Sequence, residues 1–513
     1  MNLAQKLDTL ADRVIAILSK PLMLWCVALL VVGFKLTALA SPDPDLFARV
    51  AMGRLVISQN AVPRIDPFSF TPVLPKWIDH EWLSGLVFYL VSQGLGDTGL
   101  ILLKLGLAFA TITCVLGISF RYFPLQPARS LWIIICLLQG AAAWTSTIRC
   151  QAFTYLFIPL LFAAILEYRT FGRKFLLALS PLLAIPWANM HGGYTLGLVI
   201  LVVLIITSPK ERWFPIAVLV AWCSAPAFTP YGFTTFSRYL LNALRMERPG
   251  IIEWLPLWSD PLNCILTLSI ALPVVLGILR RPSARDNFGC FVMAIAGYCA
   301  LRHIRFIPFF MISIACLGAP SVDEAFKVLR NRFPTIIAKL CRAGAIALTP
   351  LLALVALLTF CNLIRKDTYR FHYTSMPIAA IEWLRTSGLH GNLLVDFNHG
   401  SLALWRLYPR FKVSVDGRYE ETYPEQTVHD AILAFTPTTP EGAKALARLN
   451  PQYILLPKAL APNGLENTFS APWKILYRDE TAAVLTREQT GIQPITIVSD
   501  PVIGPTDPWT PLF

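Results

Sequence analysis

The sequence predicts a polytopic α-helical membrane protein carrying a C-terminal α/β domain, and three observations make that prediction. Of 513 residues, 55% are hydrophobic and only 15% charged, with a mean hydropathy of +0.57, whereas a soluble domain carries about 25% charged residues. Runs such as Leu22 to Ala40, Ile101 to Phe120, Leu196 to Thr207 with its flanks, and Ala343 to Ile364 approach the roughly 20 apolar residues a spanning helix needs. Beyond Arg365 the pattern changes to short strands alternating with helices, as in a small α/β domain.

Each element follows in order. Residues 1–20, MNLAQKLDTLADRVIAILSK, space their apolar side chains at helical intervals around Lys6, Arg13 and Lys20. They are expected as an interfacial amphipathic helix rather than a cleavable signal peptide. Spans are expected near 21–40, 99–120, 130–147, 151–168, 174–189, 194–208, 213–228, 262–279, 287–301, 304–319 and 343–364. Segment 82–95 is short for a span and is compatible with a re-entrant or interfacial helix. The total is about 11–13 transmembrane helices within a domain covering residues 21–365, with a first external loop at 41–83.

Charge sets the expected sidedness. The basic clusters Arg121/Arg129, Arg169/Arg173/Lys174, Lys210/Arg212, Arg280/Arg281/Arg285 and Lys327/Arg330/Arg332/Lys339/Arg342 suit the cytoplasm. The N-terminus is then cytoplasmic, while 41–83, 190–193, 229–261, 302–303 and the C-terminal domain are extracytoplasmic. The net charge of +13 is read as this positive-inside bias plus affinity for anionic membrane lipids, not as nucleic-acid binding. All 11 cysteines lie at or before Cys361 in apolar surroundings, which argues against a disulfide framework or a CxxC metal site.

The α/β domain is expected at 366–490. A helix over IAAIEWLRTSG ends at Gly388, GNLLVDFN and FKVSVDGR read as strands around the helix GSLALWRLYP, and Pro440 to Asn450 is another helix. QYILLP is a further strand and WKILYRDETAAVLTRE a hairpin, giving a partly parallel sheet. The Pro- and Thr-rich stretch 491–513 is expected as an extended tail.

Scarce polar residues mark the chemistry. The loop 41–83 holds Asp43, Asp45, Asp66, Asp79 and Glu81. Asp43-Pro-Asp45 can supply a general base or oxygen ligands for a divalent cation, or Asp45 can cap the helix LFARVAMGRLV that it precedes. Asp66-Pro67 can form a side-chain-capped turn. His80 and Glu81 stand at the mouth of an apolar segment, where a charged pair binds something or snorkels. Asn189 and His191 interrupt an apolar run and mark a site or an internal hydrogen-bond pair. Arg302, His303 and Arg305 place cations against the general bias and suit a phosphate, although one arginine can answer Glu253. In the C-terminal domain Asp396, His399, Asp416, Arg418 and Glu420 are read mainly as structural, with acceptor recognition as the alternative.

These motifs together resemble bacterial GT-C fold glycosyltransferases, the membrane enzymes related to protein mannosyltransferases and aminoarabinose transferases. The resemblance rests on Asp43/Asp45, Gly53-Arg54, Pro63 with Asp66-Pro67-Phe68-Ser69-Phe70-Thr71, and Trp77 with His80-Glu81-Trp82-Leu83. Asn189 to Gly193, Pro230 to Gly232, Glu253 to Leu257, Arg305 to Phe310 and Gly400 to Glu420 extend it over most of the chain. It implies a GT-C-like fold in the bacterial cytoplasmic (inner) membrane. The implied reaction is sugar transfer from a polyprenyl-phosphate-linked donor to a hydroxyl of a glycan, lipid or protein acceptor on the outer face.

Within that resemblance Asp45 or Asp43 takes the acceptor proton. Arg54, Asp66, His80, Glu81, Asn189, His191, Glu253, Arg302, His303 and Arg305 are candidates for binding substrate, the later cations for stabilising the leaving phosphate. No cofactor is required, and a divalent cation is compatible with the site. One departure stands out: family members commonly carry aromatics and a histidine where this chain has Leu46-Phe47-Ala48-Arg49, which implies altered recognition or weakened activity. Two other classes remain open on sequence. One is a transporter or flippase of lipid-linked sugars, although no internal repeat is visible; the other is a non-catalytic assembly subunit.

Overall fold

The computed structural model describes residues 3–18, 20–37, 42–141, 148–208, 210–245, 251–280, 286–365, 376–461, 464–465, 467–488 and 491–496. The tail expected at 491–513 lies outside the described residues from 497 on.

Helices dominate in the order α1 (Leu3–Leu18), α2 (Pro21–Leu36), α3 (Pro44–Gln59), α4 (Trp82–Tyr122), α5 (Pro127–Gly140), α6 (Gln151–Phe171), α7 (Phe175–Met190), α8 (Tyr194–Thr207) and α9 (Trp213–Cys223). There follow α10 (Phe233–Arg245), α11 (Pro261–Arg280), α12 (Asn287–Arg302), α13 (Ile307–Leu317), α14 (Ala319–Arg332) and α15 (Pro334–Ile364). The C-terminal part runs α16 (Ile378–Thr386), β1 (Gly391–Leu394), α17 (Phe397–Leu407), β2 (Phe411–Val413), α18 (Glu425–Leu433), α19 (Pro440–Leu449), β3 (Tyr453–Pro457), β4 (Lys474–Arg478), β5 (Ala482–Thr486) and β6 (Ile495–Thr496).

The chain is a polytopic helical membrane protein with a C-terminal α/β domain. Among the described residues α4, α6 and α11 can each cross a membrane alone by length and composition, and three bent helix pairs bring the number to as many as six. Shorter apolar helices, among them α5, α7, α8 and α12, fall at the other expected spans. Their large exposed side chains, such as Leu262, Ile265, Leu268, Leu272 and Leu279 of α11, form the face a hydrocarbon solvent requires.

Two compact units form, one from residues 1–40 and 101–369, the other from 41–100 and 370–513. This division differs from the expected one, which joined loop 41–83 to the helical domain. The physical reason is strand pairing. Ser69 forms a parallel bridge with Val413 of β2. Around it the Val413 amide donates to the Phe68 carbonyl at 2.9 Å, and the Phe70 amide donates to the Val413 carbonyl at 3.1 Å. The loop thereby covers an edge of the sheet that would otherwise carry unpaired backbone groups.

Segment 82–95 also belongs to the second unit. Gly96, at φ 57° and ψ −146°, breaks α4 between this segment and the apolar stretch that follows.

The sheet has the order β2-β1-β3-β5-β4-β6. Strands β2, β1 and β3 are parallel, β3-β5-β4 antiparallel, and β6 is parallel to β4. β3 and β5 are buried along their whole length, as the continuous apolar runs YILLP and AAVLT require. Leu394, Val415, Val428, Phe435, Ile454, Leu456 and Leu485 form the core beneath the helices.

Candidate functional site

The cap of α3 sets the first acidic pair. Pro44 occupies the first turn, and Asp43, not Asp45, is the cap: its Oδ1 accepts the Asp45 amide at 3.0 Å. Asp43 is 3% exposed, whereas Asp45, in the first turn of the helix, is partly exposed. The two carboxylates are thus unequal, one spent on the helix end and the other more accessible to a ligand.

Arg49 lies one turn further along α3 and is the centre of a buried ion cluster. Its Nη1 donates to Asp79 Oδ1 at 2.8 Å and to Glu421 Oε2 at 3.0 Å. Its Nη2 donates to Glu421 Oε1 at 3.0 Å and lies 2.8 Å from Glu81 Oε2. His80 Nδ1 lies 2.9 Å from Glu421 Oε1.

Electrostatics follow from this packing. Burial alone would lower the His80 imidazole, but Glu421 and Glu81 outweigh it and raise it to about 8. Burial likewise opposes the charge of Glu421, yet Arg49 and His80 pull it down to about 2. Asp79, fully buried beside two more carboxylates, is pushed up to about 6. Arg49, one of the four residues that depart from the resemblance, thus helps tie the first loop to the C-terminal segment.

A second buried network holds the other end of the loop. Asp66 Oδ1 and Oδ2 accept the amides of Phe68 and Ser69 at 3.1 and 3.0 Å, the turn expected of an Asp-Pro pair. Arg418 Nη1 donates to Asp66 Oδ1 at 2.5 Å, and its Nε donates to Asp416 Oδ1 at 2.7 Å. The Arg418 guanidinium also lies over Trp77, 4.7 Å from the ring centroid, and is 2% exposed. Asp66 is engaged wholly inside the protein. Arg54 stacks on Trp405 at 4.4 Å from the ring centroid, with a buried Nη2 that makes no hydrogen bond among the described residues.

Among the described residues, His80, Glu81 and Glu421 form the one group of ligand-type atoms within 4.8 Å of one another. The Arg49 guanidinium already spans Glu81 and Glu421, and His80 faces Glu421. This donor set suits ion pairing to Arg49 better than a divalent cation, which would have to displace an arginine.

In the helical unit, Lys104 of α4, Gln139 of α5, Arg149, Tyr155 of α6, Asn263 of α11 and Arg305 line a cavity of about 190 Å³ together with Glu253. Arg149 Nη1 donates to Glu253 Oε2 at 2.6 Å, and Arg305 Nη1 lies 3.4 Å from Glu253 Oε1. Lys104 is 1% exposed, and its Nζ makes no hydrogen bond among the described residues. Three basic groups thus face one carboxylate.

A second, apolar cavity of about 30 Å³ is lined by Leu36, Ala108, Ile112, Cys136, Leu137, Met311 and Ile312, with Pro308 common to both cavities. Lys104, Ala108 and Ile112 lie four residues apart on one face of α4.

The remaining expected residues divide. Arg305 and Glu253 line the polar cavity, whereas Arg302 is exposed and His303 turns its Nδ1 to the Trp254 carbonyl at 2.6 Å. Asn189 donates to the Ile185 carbonyl at 2.8 Å. His191 Nδ1 accepts the Gly193 amide at 2.9 Å and lies 2.8 Å from Thr154 Oγ1, which itself accepts from Trp187 Nε1. Nδ1 is therefore an acceptor and the ring proton resides on Nε2.

Sequence reasoning missed Arg49, Lys104, Arg149 and Glu421 as site residues. Lys104 carried a signal, since a lysine inside an apolar run is costly without a role.

No protein-family profile matches the chain, and no curated protein matches it. Solved structures do. The oligosaccharyltransferase of Archaeoglobus fulgidus in its apo form aligns at a TM-score of 0.54 and 12% identity, over 92% of this chain and 75% of that one. ArnT from Cupriavidus metallidurans, bound to undecaprenyl phosphate, aligns at a TM-score of 0.55 and 14% identity, over 92% of this chain and 99% of that one. The chain has the GT-C fold of membrane glycosyltransferases.

Proposed function

We propose that this protein is a glycosyltransferase that moves a sugar from a polyprenyl-phosphate-linked donor to an acceptor hydroxyl on the outer face of the cytoplasmic membrane. The observation that carries the proposal is the pairing of a basic cavity with an apolar one along α4, α5 and α13. A phosphate headgroup suits Lys104, Arg149 and Arg305, and the apolar side chains of Ala108, Ile112, Leu137 and Met311 beside them suit the first carbons of a prenyl chain, a cavity of about 30 Å³ admitting no more of it. The GT-C fold and the undecaprenyl phosphate bound to ArnT support the same reading.

The chemistry balances with residues of this chain. Asp45 takes the proton of the acceptor hydroxyl, whose oxygen bonds to the anomeric carbon as the bond to the lipid phosphate breaks. The phosphate leaves with the electron pair, and Lys104, Arg149 and Arg305 stabilise its charge. Asp43 is the weaker candidate for the base because its carboxylate serves the helix cap.

The test is transfer or hydrolysis by the purified full-length protein, offered undecaprenyl-phosphate-linked hexoses. Wild type is expected to release undecaprenyl phosphate, and Asp45→Asn to lose roughly 10²- to 10⁴-fold in rate. Lipid binding without turnover by wild type would favour a non-catalytic subunit or a transporter instead.

A further inference from the structure

We infer that Gly417 is a positioning residue: the buried Asp416-Gly417-Arg418 turn of the C-terminal segment seats the Asp45 carboxylate. This deepens the proposed function and rests on Asp45 being the base.

The observation is steric. A Cβ built on Gly417 would lie 1.9 Å from Asp45 Oδ1 and 3.0 Å from Asp45 Cγ. The carboxylate therefore occupies the space that any other side chain at 417 would take. Backbone conformation does not explain the glycine, because its φ lies outside the left-handed region. What requires it is the close approach of Asp45.

The seat is rigid where it meets that carboxylate. The Gly417 amide donates to Ser401 Oγ at 3.2 Å, and Ser401 is fully buried on α17. On one side Asp416 accepts the Arg418 amide at 3.0 Å and its Nε at 2.7 Å. Arg418 in turn is held by Asp66 and lies over the rings of Trp77 and Phe68. On the other side Asp45 lies in the first turn of α3, whose cap is Asp43. Hydrogen bonds hold the backbone on both sides of the contact, so a Cβ at 417 would have to be met by rotation of the Asp45 side chain away from its present position.

The run DGR that follows β2 thus has two uses. Its charged members build the network, and its glycine admits the base. A shift of about 1 Å in a reacting group can cost about 100-fold in rate. An added methyl at 417 forces a shift of that order.

The test combines a donor-independent probe with kinetics on the full-length protein. Asp45 is modified with a water-soluble carbodiimide and glycine ethyl ester across pH and followed by mass spectrometry, with Asp396 as an internal reference. Gly417→Ala is expected to raise the rate of Asp45 modification severalfold and to leave Asp396 unchanged; equal Asp45 rates in both proteins would overturn the seat.

In transfer assays, Gly417→Ala is expected to lower kcat by roughly 10- to 100-fold, with donor KM within about twofold and a displaced acidic limb of the pH profile. Wild-type kcat and profile would again overturn it. If Gly417→Ala does not fold, Gly417→Ala/Asp45→Ala decides: recovery of the fold supports the contact, and no recovery refutes it. The two claims fail separately. Full activity in Asp45→Asn refutes the base, whereas an inactive Asp45→Asn beside a normal Gly417→Ala refutes only the seat.

Discussion

Two carboxylates two residues apart do different work here, because one hydrogen bond separates them. Asp43 gives its Oδ1 to the start of α3, and Asp45 keeps the more exposed position. The sequence made the pair visible but not the division, since a proline between two aspartates lets either one be the cap. Arg49 was the harder case. Read against the resemblance it was a departure, and only the approach of Glu421, 372 positions away in sequence, shows its use. Arg49→Ala would strand Asp79, Glu81 and Glu421 in a buried site and is expected to destabilise the second unit by about 3–5 kcal/mol, measurable by denaturant or thermal unfolding. His80 gives a pH dependence. Its folded pKa of about 8 exceeds the ordinary 6.5, so its contribution is complete below 6.5 and is lost as pH rises through 8. Glu421 acts oppositely: its folded value of about 2 lies below the ordinary 4.5, so its contribution is complete above 4.5 and lost as pH falls towards 2. His80→Gln should therefore abolish the alkaline fall in melting temperature between about pH 6.5 and 8 while leaving the acid limb in place.

At the scale of elements, α3 and the start of α4 cross where two glycines meet. A Cβ on Gly53 would lie 2.4 Å from the Gly85 carbonyl, and one on Gly85 would lie 2.5 Å from the Arg49 carbonyl. The Gly53-Arg54 motif thus has a packing cause as well as a chemical candidate beside it. Gly85→Ala is expected to cost roughly 1–3 kcal/mol by forcing the helices apart, and Arg49 would move with them. Unfolding of the purified variant checks the first effect and the loss of the His80-dependent alkaline limb checks the second. Strands and helices of the C-terminal part were legible because their periods and punctuation agree: Gly388 ends one helix, and Thr439 with Pro440 starts another. Helix α18 was not legible, since EQTVHDAIL has no strong apolar stripe and is held by packing, with Thr427 Oγ1 donating to the Pro72 carbonyl. Nor was the pairing of Ser69 with Val413, because an edge contact between segments 344 positions apart leaves no local period.

For the whole molecule, hydropathy announced the class and charge proposed the sidedness, but neither reports which distant segments share a unit. Loop 41–83 read as an appendage of the membrane helices because chain proximity was the available guide. The structure instead groups it with residues 370–513, held by two buried arginine networks and a strand bridge. The basic cavity was partly legible, through Arg305 and Glu253. Lys104 and Arg149 escaped because each is a lone basic residue in sequence, and the other groups lining the cavity come from distant segments. This cavity, with the apolar side chains beside it, is the proposed site for a polyprenyl phosphate. The direct measurement is the affinity of undecaprenyl phosphate for the purified protein, by native mass spectrometry or ligand-dependent melting, in wild type and Lys104→Ala. Saturable binding is expected, weakened roughly tenfold or more by Lys104→Ala, with no comparable loss for Asp45→Asn. Absence of binding to wild type, or equal affinity in Lys104→Ala, would contradict it.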